Sequence, residues 1–343
     1  MAFENLTLRE KEILQNLIDH YICTADPVGS RLIANKYKMG LSPATIRNTM
    51  QDLEEMGLIS QPHTSAGRIP TDIGYRVFVD MLLKQEPLTA AEQREIKKIV
   101  ASSKQGIDAV LGQTSKILGD ITSQLGISIA PKFNKGVFRR IDLIPITDGK
   151  ILAVITVESG LARSIILEID TKINEKELFQ IESILNERLS GLNLGQIQKS
   201  IAERLADTAC NPKLLKILVD PNEKIWIDKD SKSIHLKGTD NLIAQPEFAD
   251  REILTEFIKF IEEKKGLIDL VENQSIGEGI IITIGHENSM NEIQKCSLVT
   301  SKYKAGKLTG TIGIIGPTRM PYSKLISIVE YTARSLTEAL SES

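Results

Sequence analysis

The stretch from residue 30 to residue 71, SRLIANKYKMGLSPATIRNTMQDLEEMGLISQPHTSAGRIPT, decides how the first part of this chain folds. Apolar residues recur at helical spacing on both sides of Gly40, which predicts two short helices joined by a tight turn. Ser30 is placed to cap the first helix, and Ser42 to cap the second, with Pro43 at its first position. The exit through EMGLIS into a loop rich in turn-forming residues is typical of a winged helix-turn-helix.

The second of these helices has a polar face that suits the major groove of DNA. Small and polar side chains near the start of such a helix reach the base edges. Arg47 can hold guanine O6 and N7 with two hydrogen bonds, and Asn48 or Gln51 can pair with adenine, although ordinary solvation is the alternative for the last two. The free N–H groups at a helix N-terminus also favour phosphate. We therefore predict DNA contacts at Ser30, Arg31, Ser42, Ala44, Thr45, Arg47, Asn48 and Gln51.

The loop from Gln61 to Arg68 is the predicted wing. His63, Thr64 and Ser65 are short polar donors suited to phosphates, and Arg68 can enter a minor groove. For His63, a turn residue without a ligand is the alternative. The quoted stretch holds five basic and three acidic side chains, and the acids lie at the far end of the second helix. Because this positive charge is modest, we expect affinity to depend on two half-sites bound by a dimer.

The composition is that of a cytoplasmic globular protein with two or three domains. The chain has 343 residues, of which 41% are hydrophobic, enough to form several cores. Its net charge of -3 means that any DNA-binding surface is local. The sequence predicts neither a signal peptide nor a membrane span. Three scattered cysteines and four histidines without ligand spacing predict no disulfide framework, metal site or cofactor.

Behind the wing the pattern changes from helix to sheet. Residues from Leu88 to about Leu125 show helical periodicity. Alternating and apolar runs then predict two sets of strands, which we expect to form one sheet domain. These strands cover residues 137–146, 151–157, 162–169, 279–284, 297–304 and 307–315, and a helix over 321–340 closes the chain.

The segment between the two strand sets reads as an insertion into that sheet domain. Asn174 and Glu177 form a capping-box pair before one amphipathic helix, and a second such helix begins at Leu194. Their apolar faces suggest a surface for a partner. A two-stranded hairpin is predicted through Ile225, Ile227, Ile234 and Leu236. The predicted division is 1–87, 88–171, 172–242 and 243–343, with the third segment inserted; three contiguous domains are the alternative.

Four strings resemble those of the heat-inducible transcription repressor family, HrcA. They are PVGSRLIANKY, LSPATIRNTMQDLEEMGLISQPHTSAGRIPTDIGYRVFVD, IGHEN and IGIIGPTRMPYSK. The resemblance runs from Leu6 to the last helix. It implies an α+β, multidomain fold: an N-terminal winged helix-turn-helix, then a GAF-like α/β sheet domain with an inserted dimerising α+β domain. It also implies a homodimer that binds an inverted-repeat operator of chaperone operons as double-stranded DNA, with the GroE chaperonin holding its active state.

The sequence also bears on two other classes of function, an enzyme and a ligand-controlled regulator. The glycine-rich strings GEGIIITIGHENS and TGTIGIIGPT match neither a P-loop nor a dinucleotide-binding motif, and no nucleophile elbow is present, so we predict no enzyme. The alternative function is a winged-helix regulator controlled by a small ligand in the GAF-like domain, lined by residues 280–282 and 312–315, which would otherwise fill a core. Arg319 is expected in a salt-bridged loop that caps the last helix, with a contact to another domain or the chaperonin as the alternative.

Overall fold

The computed structural model of the chain describes residues 6–64, 66–100, 107–147, 149–169, 174–208, 217–218, 225–226, 234–274, 277 and 279–341. The α-helices are α1 (Leu8–Thr24), α2 (Ser30–Tyr37), α3 (Pro43–Glu55), α4 (Asp72–Val77), α5 (Ala90–Val100), α6 (Ile107–Thr122), α7 (Glu175–Leu189), α8 (Leu194–Leu205), α9 (Thr239–Ile243), α10 (Arg251–Glu262), α11 (Lys265–Gln274) and α12 (Tyr322–Ser341). The strands are β1 (Ile59–Ser60), β2 (Ile69–Pro70), β3 (Leu125–Ile129), β4 (Phe138–Thr147), β5 (Lys150–Val157), β6 (Ala162–Glu168), β7 (Ile234–Lys237), β8 (Ile280–Ile284), β9 (Cys296–Ala305) and β10 (Leu308–Pro317). Within these described ranges, no helix is both long enough and apolar enough to cross a membrane.

The first three helices surround one buried core, as the apolar spacing predicts. Leu17 of α1, Ile33 of α2 and Ile46 of α3 are fully buried in it. Strands β1 and β2 pair antiparallel with Ile59 opposite Pro70, and the loop between them is the predicted wing. The winged helix-turn-helix prediction is confirmed.

The predicted cap of α2 is wrong. Ser30 is the first residue of this helix, and the capping position is held by Gly29, which has no side chain that could accept a hydrogen bond. Two backbone hydrogen bonds between Val28 and Arg68 fix the extended chain directly before Gly29. The helix therefore begins one residue earlier than it would if Ser30 were its cap.

A five-stranded antiparallel sheet, in the order β7-β3-β10-β9-β8, forms the centre of the body. One face packs against α6 and α12, where Ile312 and Val329 are fully buried. The other face packs against α10 and α11, where Leu298 and Phe257 share a core. Buried side chains of the winged helix belong to the same cluster as Ile312 and Val329, so the two parts share one core. The α+β, multidomain fold class is confirmed.

The apolar periodicity does not predict strand β3, and it assigns strand β7 to the wrong pairing partner. The helical prediction continues to about Leu125, whereas α6 ends at Thr122 and β3 begins at Leu125. The predicted hairpin is wrong at its second strand, because Ile234–Lys237 pairs with β3 rather than with the segment at Ile225. Ile227 lies outside the described residues. Short apolar runs do not reveal their type or their pairing partner when that partner is distant in sequence.

The strands of the first set do not join the late strands, so the expectation of a single sheet is wrong. β4, β5 and β6 form their own antiparallel sheet, and its inner face packs on α7 and α8. Ile141, Ile155, Leu185 and Ile197 are fully buried in this second core. The apolar helix faces predicted to meet a partner are therefore covered by this sheet. An alternating pattern identifies a strand but not the sheet that it joins.

Candidate nucleic-acid interface

The N-terminal end of α3 is fixed by its own sequence. The Oγ of Ser42 accepts a hydrogen bond from the backbone N of Thr45 at 3.1 Å, and Pro43 occupies the first helical position. Both features were predicted and are confirmed. The hydroxyls of Ser42 and Thr45 also lie 3.0 Å apart. This cap uses the N–H of Thr45, and Pro43 has none, so among the first three helical residues the N–H of Ala44 remains directed out of the helix end, where phosphate is favoured.

Helix α3 divides into a buried face and an exposed face. Ile46 and Leu53 have no exposed surface, which holds the helix firmly against α1 and α2. Arg47, Asn48 and Gln51 are all exposed on the opposite side. Residues separated by three or four positions share one side of a helix, so these side chains form one continuous polar face.

The polar face of α3 is largely unengaged within the protein. Among the described residues, neither Arg47 nor Asn48 has a hydrogen-bond or ion-pair partner, while the Nε2 of Gln51 donates to Glu55 Oε1 at 3.3 Å. Ala44 beside them is exposed and small enough to allow close approach. A guanidinium and an amide held in this way can form bidentate contacts with base edges.

The remaining predicted contacts on the helices are arranged around α3. Arg31 is exposed on the first turn of α2, and Ser30 before it is half-buried. A positive side chain at the start of the preceding helix is suited to a phosphate contact rather than to base recognition.

The wing is ordered by Gln61. Its Nε2 donates to the backbone oxygens of Thr64 and Ala66, both at 3.0 Å, and these bonds close the loop. His63 and Thr64 are exposed at the tip, as a phosphate contact requires. Ser65 lies outside the described residues. The role of Gln61 could not be predicted from the sequence, because a side chain that closes a loop gives no periodic signal.

Arg68 is paired within the winged helix. Its Nε donates to Glu54 Oε2 at 2.9 Å, with a second guanidinium nitrogen 2.7 Å from the same oxygen. The side chain is 22% exposed. In this arrangement Arg68 joins the wing to the C-terminal end of α3, and entry into a minor groove would require this ion pair to break.

Two of the quoted strings meet where the winged helix packs on the body. Asp72, at the start of α4, accepts hydrogen bonds from the backbone N and the Nδ1 of His286, at 2.9 Å and 2.6 Å. A β-carbon added to Gly285, whose φ is +55°, would lie 2.0 Å from Asp72 Oδ2. The GRIPTDIGYR and IGHEN strings therefore form one interface between the two parts of the protein.

Arg76 extends this interface by one turn of α4. Its Nε donates to Glu287 Oε1 at 2.8 Å, and one terminal nitrogen donates to the backbone oxygen of Ile282 at 2.7 Å. Hydrogen bonds to Glu287 raise the pKa of the Arg76 guanidinium above its usual value. The positive charge of Arg76 is thus paired with Glu287 of the body and is not directed toward DNA. We call Asp72, Arg76, His286 and Glu287 the interdomain cluster.

Arg319, from the GPTRMPY string, also contacts the winged helix. Its Nε donates to Glu247 Oε1 at 2.6 Å, and another nitrogen donates to Gln245 Oε1 at 3.1 Å. A third contact runs to the backbone oxygen of Ile22 in α1, at 2.8 Å. The expected salt bridge is present, but the helix end that Arg319 caps is that of α1 and not that of the last helix.

Comparison with known proteins agrees with this arrangement. The family model described as "Winged helix-turn-helix transcription repressor, HrcA DNA-binding" matches residues 5–81, and the model described as "HrcA protein C terminal domain" matches residues 108–326. A solved structure described as that of a hypothetical protein at 2.2 Å resolution has a TM-score of 0.62 with 23% identity, covering 98% of this chain and 99% of its own. At that identity it shows a shared fold alone.

Relatives named heat-inducible transcription repressor HrcA match over nearly the whole length. The protein from Geobacter sulfurreducens is 38% identical over 98% of each chain. That from Chlorobium luteolum is 36% identical over 100% of this chain and 99% of its own, and that from Acetivibrio thermocellus is 39% identical over 96% and 95%. The chain therefore belongs to the HrcA family of heat-inducible transcription repressors, which are regulators with a DNA-binding winged helix and not enzymes.

Proposed function

We propose that this protein represses chaperone operons in the cytoplasm by binding an inverted-repeat operator as a homodimer, and that the GroE chaperonin keeps it active. The observation that carries the DNA-binding step is the unengaged polar face of α3, with Arg47 and Asn48 exposed beside a capped helix N-terminus. Each protomer would place one such face in the major groove of one half-site.

The proposed DNA contacts fall into two groups. Base edges are read by the exposed face of α3, and phosphates are held by the helix ends and the wing. The first group is Ala44, Arg47, Asn48 and Gln51. The second group is Ser30, Arg31, Ser42, Thr45, His63, Thr64 and Ser65. Arg68 keeps the wing in place through Glu54, 2.9 Å away, rather than adding a contact of its own.

The homodimer is supported by the outer face of the sheet formed by β4, β5 and β6. Ile144, Ile146 and Ile166 are 48%, 49% and 58% exposed there. Ile144 lies opposite Leu152, which lies opposite Ile166, so these side chains form one apolar row across the sheet. Grouped apolar residues of this kind mark interaction surfaces, and a second copy of the chain presents the same face. We call this sheet with α7 and α8 the insert, because in the sequence it lies between β3 and β7, which are neighbouring strands of the body sheet.

The proposed dependence on the chaperonin follows from the family resemblance, and the core shared by the winged helix and the body supports it. Because the winged helix packs in one cluster with α12, its position depends on the folded state of the body. A loss of about 1.4 kcal/mol of stability changes the unfolded-to-folded ratio tenfold, so modest heating can lower the active population. A chaperonin that restores the fold would then restore repression, and competing damaged clients would relieve it.

The test is footprinting of the purified protein on an inverted repeat from a chaperone promoter of its own genome, across a chaperonin titration at growth and heat-shock temperatures. We expect a two-fold symmetric footprint, lost on heating and recovered with chaperonin. A footprint on one half-site alone would contradict the dimer. Occupancy that is independent of chaperonin at both temperatures would contradict the chaperonin step and leave DNA binding intact.

A further inference from the structure

The sequence offered residues 280–282 and 312–315 as the lining of a ligand pocket, and residues 280–282 are half-buried. Ile312, Ile314 and Ile315 are fully buried. The structure instead contains a cavity of about 690 Å³ at the opposite end of the body sheet, where β3, the β9–β10 hairpin and α11 meet. Its charged lining residues are Lys132, Lys135, Lys302, Lys304, Lys307 and Glu272.

One face of the sheet changes character as it enters this cavity. Leu298 and Ile315 pair across β9 and β10 and are covered by α10 and α11. Further along the same face, Lys302 pairs with Thr311, and Lys304 pairs with the residue two positions before Thr311. Successive residues two apart on a strand point to the same side. The sheet therefore presents a polar, lysine-bearing surface toward a space where an apolar core would otherwise continue.

The positive charge in the cavity is only partly matched. Lys132 Nζ lies 2.6 Å from Glu272, and Lys307 Nζ lies 2.6 Å from Glu158. Among the described residues, no acidic side chain pairs with the three other lysines of the lining, Lys135, Lys302 and Lys304. Like charges held around one concave space repel one another, and a bound anion would relieve that repulsion.

We propose that this cavity binds a small polyanion carrying two or more phosphate groups, of the nucleotide class. Its volume lies within the range of roughly 300–1,000 Å³ that small-molecule sites occupy. Lysine ammonium groups are strong phosphate ligands, and several can surround a chain of phosphates without the fixed planar geometry that arginine imposes. The described lining has no exposed aromatic ring for a base to stack on, so recognition is of the phosphates.

The cavity lies beside a contact between the body and the insert, because Lys307 of its lining pairs with Glu158. Gly306, in the β9–β10 turn, approaches Ser159 in the β5–β6 turn so closely that an added β-carbon would lie 2.6 Å from the Ser159 side chain. The ion pair between Lys307 and Glu158 joins the same two turns. A polyanion bound here would contact lysines of the β9–β10 hairpin and of residues 132–135, which precede the insert, and it would stabilise the folded chain, because a ligand that binds only the folded state shifts unfolding.

The test uses the full chain, with pyrophosphate and ATP as probes in isothermal titration without DNA. We expect binding of both, a rise in melting temperature with each, and a loss of tenfold or more in affinity in K302Q/K304Q, as expected for removal of two charge-assisted contacts. The matched control is K97Q/K116Q, which removes two exposed lysines of α5 and α6 outside the cavity, and we expect it to bind as the wild type does.

Three results would overturn the proposal. The first is that neither probe binds, and the second is that both double variants lose affinity equally. The third is that K302Q/K304Q binds the two probes as the wild type does but loses binding to a random DNA duplex, which would identify a nucleic-acid surface. If K302Q/K304Q fails to fold, Lys135→Gln gives the same test from the other side of the cavity. The measurement contains no operator, so its failure leaves the proposed repressor function untouched, and the reverse also holds.

Discussion

The guanidinium of Arg319, in the body, donates a hydrogen bond to the backbone oxygen of Ile22 at 2.8 Å. Ile22 lies in the last turn of α1, where carbonyl groups have no partner within the helix. A positive side chain at this end also matches the negative pole of the helix dipole. The DNA-binding part is thus held by a charge that the body supplies.

We expect Arg319→Ala to lower the free energy of unfolding of the full chain by about 2 kcal/mol, because it removes charge-assisted bonds and leaves Glu247 unpaired. Arg319 and Glu247 are only 12% and 22% exposed, so solvent screens this pair weakly. Chemical denaturation measures the loss, with Arg94→Ala, an exposed change on α5, as control. Equal stability of the two variants would show that the contact contributes nothing.

Gly285 gives a sharper test of the interdomain cluster. Gly160 and Gly285 both have positive φ, but an alanine at Gly160 meets open space, whereas one at Gly285 meets Asp72. Gly160→Ala therefore reports backbone strain alone, about 1 kcal/mol. We expect Gly285→Ala to cost at least roughly twice that amount and to speed proteolysis between the winged helix and α5. Similar costs for both variants would mean that Asp72 moves aside freely and that this contact does not hold the two parts together.

Features determined by neighbouring residues could be predicted from the sequence. The Ser42 cap was predicted because its acceptor and donor lie three residues apart. The same holds for Asn174, whose side chain accepts from the backbone N of Glu177 at 2.8 Å. The exposed face of α3 follows in the same way from a period of 3.6 residues.

Features that depend on distant residues could not be predicted. Nothing near Asp72 in the sequence indicates His286, and nothing near Arg68 indicates that Glu54 would take its charge. The placement of β4 in a second sheet is of the same kind, since an alternating pattern fits either sheet. The resemblance to the family drew attention to the strings that contain Asp72 and His286, but the contacts between these residues are seen only in the folded chain.

His20 predicts a pH dependence of stability. Burial, and then the nearby charge of Lys36, lower the pKa of His20 below its ordinary value of 6.5. At a pH between the lowered pKa of His20 in the folded protein and 6.5, the unfolded state binds the proton more readily than the folded state does. The stability of the folded protein is therefore fully present above pH 6.5 and is lost as the pH falls below it. We expect the wild type to lose more stability than His20→Gln when pH drops from about 8 to about 5.5. Parallel losses in thermal unfolding of both proteins would contradict this.

Arg47 tests base recognition by α3. We expect Arg47→Ala to weaken operator binding by about 1–3 kcal/mol per half-site, since it removes a bidentate base contact without disturbing the buried face. Fluorescence anisotropy on operator and scrambled duplexes measures this, with Arg94→Ala as the charge-matched control. A variant that loses affinity for both duplexes alike would assign Arg47 to phosphate instead of to bases.

The outer face of the insert sheet predicts the oligomeric state. Ile166, 58% exposed in the apolar row with Ile144, is the position at which a charge would be most disruptive in a two-fold interface, because each copy buries the other's lysine. We expect Ile166→Lys to weaken the dimer by roughly tenfold or more and to weaken operator binding with it. Sedimentation of the full chain at micromolar concentration measures the first effect; the full chain is needed because the winged helix shares the body's core.

Ile243→Lys, at a 43% exposed isoleucine in α9, introduces the same charge away from the row and should sediment as the wild type. A dimer that survives Ile166→Lys unchanged would place the contact between protomers elsewhere, while the DNA-reading face of α3 would keep its role.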